Sequence, residues 1–152
     1  MLEWMHDSFV VGKMETDFAS KDLHDCLCFI ESSQNMARDC HMAIVDDNDE
    51  YMGTVSLKNI CDKVAEFAIT VRKSAMGRGY SSYAMSEIIN IGFTKYSLDT
   101  IYWCVDPDNA RAVRFYDKNN YKRVNVNELK IVGYTKDQMN RYLWYCVTNK
   151  RA

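Results

Sequence analysis

Two glycines set in a basic run, Arg72-Lys73-Ser74-Ala75-Met76-Gly77-Arg78-Gly79-Tyr80-Ser81-Ser82, carry the clearest chemical potential in this sequence. Glycine has no Cβ to bar it from left-handed backbone, so Gly77 and Gly79 let successive N–H groups turn into one concavity. The residues that follow have a helical pattern, and a helix N-terminus adds unpaired donors and a partial positive charge. With Arg72, Lys73 and Arg78 nearby, the run predicts a cradle for a phosphate-bearing ligand. Two other phosphate devices do not fit. A dinucleotide-binding turn needs a third glycine and an acidic residue about 20 positions on, which Tyr80-Ser81-Ser82 and the region after it do not supply. A P-loop needs Gly-Lys-Ser/Thr, which does not follow.

Other reactive side chains suggest less. Cys26, Cys28, Cys40, Cys61, Cys104 and Cys146 lie scattered in apolar patterns without paired spacing, so free buried thiols are expected, with no disulfide and no metal. Asp46 to Glu50 lacks the glycine and the distant glutamate of a calcium loop and is expected to be a solvated turn. His24 is expected to be a surface polar residue.

The elements that must hold the glycine run in place follow from periodicity. Val64 to Val71 (VAEFAITV) is an apolar strand leading into the run, and a helix with Tyr83, Ala84, Ile88, Ile91 and Phe93 on its apolar face leads out of it. Ile101 to Val105 is a buried strand; strand, helix and strand this close predict a right-handed βαβ unit with a parallel pair. Asp106-Pro107-Asp108-Asn109 then breaks the chain and caps a helix over Ala110 to Lys118. Asn119-Asn120 can end that helix in left-handed backbone, and Tyr121 to Val126 reads as a strand. Upstream, Leu23, Cys26, Leu27 and Ile30 fall at i, i+3, i+4 and i+7. They predict a helix over Ser20 to Ser32 laid on a core, with Ser20 or Asp22 near its start. Two apolar runs around Asp46 to Glu50 predict an antiparallel hairpin. Asn127 to Asn140 reads as a long polar loop, and Arg141 to Thr148 as a final strand. Met1 to Asp7 has the spacing of a helix end.

Length and composition agree with one α/β domain over residues 1–152 with a mixed sheet. At 47% hydrophobic and 26% charged residues the chain falls outside the disordered and fibrous classes. No apolar run approaches the ~20 residues of a spanning helix, and the N-terminus has no basic n-region, so a cytoplasmic, non-membrane protein is expected. A formal charge of −2 argues against a nucleic-acid partner.

Two runs, in order, resemble the GNAT superfamily of acetyl-CoA-dependent N-acetyltransferases. Met76-Gly77-Arg78-Gly79-Tyr80-Ser81 is similar to that family's acetyl-CoA loop, Gln/Arg-x-x-Gly-x-Gly/Ala, with Met76 and Ser81 departing at the ends. Asn109-x-x-Ala112-x-x-Phe115-Tyr116-x-Lys118-x-Asn120-Tyr121 is similar to its second motif, with Asn120 standing where glycine is usual. Trp4-Met5-His6-Asp7, Gly53 to Leu57 and Leu143-Trp144-Tyr145 resemble the branch that acts on ribosomal-protein N-termini and amino sugars. Members of that branch normally open with a strand and the first half of a helix before such a Trp-Met-His-Asp run.

The resemblance implies a twisted sheet whose central parallel pair, Val64 to Val71 and Ile101 to Val105, splays into a V facing the glycine loop. It implies acetyl-CoA held by Ile69, Thr70, Val71, Gly77, Arg78, Gly79, Tyr80, Ser81 and Asn109. The acceptor is a primary amine of a small molecule or a protein N-terminus, attacking directly in a ternary complex. Tyr116 is implied as the acid that protonates the departing thiolate, the alternative being a core aromatic. Glu66 is implied as the base or the anchor of the substrate ammonium, the alternative being an exposed residue on the other pleat face. A non-catalytic acyl-CoA-binding module of the same fold is the competing reading, and a homodimer stays open.

Overall fold

The computed structural model describes residues 1–35 and 37–149. Its elements in chain order are α1 (Leu2–Met5), α2 (Ser8–Val11), α3 (Leu23–Ser32), β1 (Cys40–Val45), β2 (Tyr51–Cys61) and β3 (Val64–Val71). They continue with α4 (Tyr80–Thr94), β4 (Thr100–Val105), α5 (Ala110–Lys118), β5 (Lys122–Arg123), α6 (Lys136–Arg141) and β6 (Leu143–Thr148). Among the described residues the strands form one sheet in the order β1-β2-β3-β4-β6-β5. Its only parallel neighbours are β3 and β4, as the βαβ reading expects.

That parallel pairing is short. Val64, Ala65 and Glu66 pair with Thr100, Ile101 and Tyr102, and beyond them the two strands part. β3 stays paired with β2 as far as Val71↔Gly53, and β4 stays paired with β6 as far as Val105↔Leu143. Each half of the sheet therefore keeps its own ladder while the seam between them opens. Gly53 allows β2 to follow β3 closely to its end: a Cβ there would lie 2.2 Å from the Thr70 carbonyl oxygen.

The main core lies on one face of this seam. Ala65 and Phe67 of β3, Ile101 and Trp103 of β4, Tyr145 of β6 and Met85 and Ile88 of α4 are buried together. Trp103 stacks on Tyr145 with ring centroids 5.8 Å apart and meets Phe67 edge-on at 5.5 Å. Such pairs each add about 0.5–1.5 kcal/mol beyond the area they bury. A second cluster, Trp4, Met5, Val10, Val11 and Cys26, seats the N-terminal helices and α3.

The structure corrects the sequence reading in several places. The helix expected over Ser20 to Ser32 starts at Leu23, where Asp22 and Asp25 form a reciprocal capping box. Of its apolar stripe only Cys26 is buried, while Leu23, Leu27 and Ile30 are exposed. Tyr83, expected on the buried face of α4, is 68% exposed; the packed face keeps the expected Ala84 and Ile88 and adds Met85 and Gly92. The strand expected over Tyr121 to Val126 shrinks to Lys122–Arg123, and the loop expected over Asn127 to Asn140 contains most of α6, opened by a Thr135–Gln138 capping box. All six cysteines are free thiols, but Cys28 and Cys61 are exposed. Asn120 does take the left-handed conformation that ends α5, at φ 59°.

Candidate functional site

The opened seam becomes a cleft of about 1250 Å3. Residues 66 to 71 of β3 form one wall and Trp103, Cys104 and Val105 of β4 the other. It is also lined by the glycine loop and α5 and, from other stretches of the chain, by the N-terminal segment and the residues before and within α6.

The loop end is built from backbone. Gly77 (φ 75°) and Gly79 (φ 88°) are both left-handed, which other residues adopt only with strain. Gly79 caps α4 and no side chain satisfies that helix end, so the first N–H groups of a 15-residue helix stay open beside Gly77, Gly79, Ser81 and Ser82 on the cleft wall. An added Cβ at either glycine would meet nothing within 4 Å, so the concavity has room for a ligand. Ile69, Thr70 and Val71 line the same wall past the point where β3 loses β4, which leaves main-chain groups without a ladder on that side. Asn109 caps α5 through its side-chain oxygen, which accepts from the Ala112 N–H at 3.2 Å, and it too lines the cleft.

The basic side chains expected around this loop are arranged differently. Arg72 is bound to Glu3 at 2.7 Å and to Glu50 at 2.5 Å, so it ties α1 and the β1–β2 turn to the end of β3 and stands outside the cleft wall. Arg78 lies over the Tyr80 ring at 5.3 Å, and neither side chain forms part of the cleft wall. Lys73 and Arg111 lie against Phe9 at 4.9 and 4.8 Å.

Tyr116 projects from α5 into the cleft, 7% exposed, between Trp103 (5.4 Å) and Tyr145 (5.2 Å). Among the described residues its hydroxyl has no hydrogen-bond partner. Burial, with smaller contributions from Cys104, Tyr145 and Tyr121, pushes its pKa far above that of an ordinary phenol, so it carries its proton.

Glu66 is 5% exposed, so it is not the solvent-facing strand residue offered as an alternative. Its side chain is on the pleat face opposite Ala65 and Phe67, where Lys58 Nζ approaches Oε1 at 3.0 Å and the Tyr134 hydroxyl donates to the same oxygen at 2.7 Å. Asn59 adds a longer bond, 3.4 Å, to Oε2. A buried carboxylate needs such partners, since left alone it costs several kcal/mol. The Tyr134 oxygen in turn accepts from the Cys104 thiol at 3.5 Å. Burial pushes Cys104 up to about 12, which keeps it a thiol and makes it no nucleophile.

Sequence reasoning did not single out Lys58 or Tyr134. Lys58 reaches Glu66 because the β2–β3 ladder slips by one residue between Lys58 and Cys61, with Asn59 in left-handed backbone. Tyr134 lies outside any regular element. Among the described residues there is no group of His, Cys, Asp and Glu placed to hold a metal ion, and no helix long and apolar enough to cross a membrane.

Comparison with known proteins adds a family match, a curated relative and two solved structures. A family model for the acetyltransferase (GNAT) domain matches residues 1–122. The spermidine N(1)-acetyltransferase of Escherichia coli (strain K12) is 26% identical over 120 residues, which is 78% of this chain and 58% of that protein; the chain thus spans little more than half of that curated relative. In fold, the chain is similar to the spermidine N-acetyltransferase from Vibrio cholerae, solved with CoA and spermine, at a TM-score of 0.76 and 16% identity, over 97% of this chain and 86% of that one. It is also similar to the Campylobacter jejuni N-acetyltransferase PseH, solved with acetyl coenzyme A, at a TM-score of 0.64 and 19% identity, over 86% and 84%.

Proposed function

Because the chain belongs to the GNAT acetyltransferase family, we propose that it moves an acetyl group from acetyl-CoA to a primary amine by direct attack in a ternary complex. The observation that carries this reading is the seam. β3 and β4 pair at three positions and then part around a cleft that has free helix-end N–H groups at one end and the buried Tyr116 phenol along its wall.

The N–H groups around Gly77, Gly79, Ser81 and Ser82 suit the pyrophosphate, because they point partial positive charge at it without needing a cationic side chain. The free edge of β3 at Ile69 to Val71 suits the amides of the pantetheine arm, and one N–H there can receive the oxyanion of the tetrahedral intermediate. Tyr116 is protonated and unpaired, so it can donate to the thiolate as the C–S bond breaks. Glu66 stands at the acceptor end and takes up the proton that the ammonium must lose before its nitrogen can attack.

The acceptor is a small-molecule amine or a protein N-terminal amine, and the names of the relatives make spermidine the first compound to screen. The test is release of free CoA from acetyl-CoA, with spermidine, simple diamines, amino sugars and short peptides as acceptors. Turnover above the rate of thioester hydrolysis is expected with at least one of them. CoA binding without turnover across the whole panel would leave a binding module in place of an enzyme.

A further inference from the structure

One oxygen of Glu66 is already occupied. Oε1 takes Lys58 at 3.0 Å and the Tyr134 proton at 2.7 Å, and the carboxylate is almost wholly withdrawn from solvent. Tyr134 lines the same cleft and donates to Glu66. It spends its one proton on Glu66, and its oxygen accepts from the Cys104 thiol of β4 at 3.5 Å. A thiol is a weak donor, so that oxygen can take a stronger donor in its place.

We infer that Tyr134 relays the acceptor's proton to Glu66, with the incoming ammonium replacing the Cys104 thiol as the donor to its oxygen. This rests on the acetyl-transfer reading above and adds a residue outside both sequence motifs. One ammonium proton passes from nitrogen to Tyr134 Oη while the phenol's own proton passes to Glu66 Oε1. The carboxylate ends protonated, the phenol is unchanged and the nitrogen has its lone pair. That lone pair forms the bond to the thioester carbon; the C–S bond then breaks, and the thiolate takes the Tyr116 proton. The second proton shed by the new amide nitrogen restores Tyr116, and Glu66 returns its proton to water.

The surroundings hold the relay in place. Tyr134 packs edge-on against Trp144 at 5.2 Å and Tyr142 at 6.3 Å. Gln138 Nε2 donates to Glu15 at 2.6 Å, and Arg141 binds Asp106 at 2.7 Å. The titratable and charged groups facing the pair are Lys58 from β2, Tyr102 and Cys104 from β4, Glu15 from the N-terminal segment and Tyr142 at the end of α6. This half-buried phenol, held between two partners, stays protonated between turnovers, because desolvation raises its pKa well above 10.

Tyr134→Phe keeps the ring and removes the relay. With an amine that the wild type turns over, kcat/KM for the acceptor should fall by roughly 10²-fold near neutral pH. The deficit should shrink steadily as pH rises toward the acceptor's own pKa, where the amine arrives already neutral. KM for acetyl-CoA and the stabilisation by CoA against heat should stay within about threefold of wild type, which shows that the variant folds. Glu66→Gln should show the same pH-dependent loss, and the double variant should lose little more than either alone. A deficit equal at every pH, or losses that multiply in the double variant, would overturn the relay and leave acetyl transfer standing. Failure of the wild type to acetylate any amine would overturn both.

Discussion

One part of the cleft offers a ligand main chain, and another offers it side chains. The glycine loop offers N–H groups fixed by two left-handed glycines and a helix start, and its side chains point elsewhere: Arg72 into an ion-pair bridge, Arg78 onto Tyr80. The part proposed for the acceptor offers Glu66, Lys58, Tyr134, Cys104 and Glu15, brought from three strands, an N-terminal segment and the chain before α6. Backbone recognition suits a cosubstrate that does not change. Side-chain recognition suits an acceptor that can differ from one enzyme to another on the same fold, because side chains can change while the strands stay.

If that division is right, the largest single loss should come from the loop. Gly79→Asp adds a side chain and a negative charge where the pyrophosphate is expected, besides forcing a non-glycine residue to φ 88°. We expect kcat/KM for acetyl-CoA to fall by about 10³-fold, consistent with ~4 kcal/mol of lost binding and repulsion, and the CoA-induced rise in Tm to vanish. Titration calorimetry showing equal CoA affinity in wild type and variant would remove the loop from the site.

Tyr116→Phe should come next. It leaves the ring between Trp103 and Tyr145, takes away only the proton, and should lower kcat by roughly 10²-fold while CoA affinity holds within about threefold. An unchanged single-turnover rate would return Tyr116 to the core.

A third variant joins the two regions. Gly53→Ala places a methyl group 2.2 Å from the Thr70 carbonyl oxygen, so β2 must move away from the stretch of β3 that would hold the pantetheine arm. Overpacking of this kind costs about 1–3 kcal/mol. Thermal melting with and without CoA should show a lower Tm and a smaller CoA shift. A lower Tm with a full CoA shift would mean that the strand edge takes no part in binding.

The smallest effect concerns His41 at the acceptor end, beside Ser56 at 2.7 Å. Burial holds its pKa below the ordinary histidine value, with Lys58 adding to this and Asp39 opposing it. As pH falls through about 6.5 the unfolded chain takes up the proton first. Stability should therefore be full above that pH, decline below it and level off once the folded histidine is also protonated. His41→Asn should flatten this part of a Tm-against-pH curve by a small amount, without altering CoA binding at pH 7.5.

Much of the cofactor end was legible in the sequence because its elements are local. A strand, two glycines, a helix start and an Asn109 cap each follow from neighbouring residues, and their order predicts a parallel pair. The local pattern was less reliable where burial decides. Leu23, Leu27 and Ile30 have the spacing of a core face, yet α3 rests on the protein through Cys26, whose sulfur meets Met5 Sδ at 3.4 Å. The stretch from Asn127 to Asn140 looked like a polar loop because the tyrosine within it gives no period.

What the sequence determined by itself is therefore the βαβ frame, the backbone cradle at Gly77 and Gly79 and the place of Tyr116 on α5, all set by contacts within a few residues or by helical spacing. The tertiary structure decided the partners of Glu66. A tight turn at Asp62-Lys63 pairs Cys61 with Val64, and an unbroken ladder from there would set Asn59 opposite Glu66. The slip after Lys58 places Lys58 there instead, and a one-residue shift exchanges which side chain shares a face with the carboxylate. Tyr134 arrives from 68 residues further along the chain. No local rule reports such a meeting, because its free energy comes from satisfying one buried charge, and that burial exists only once the sheet has formed.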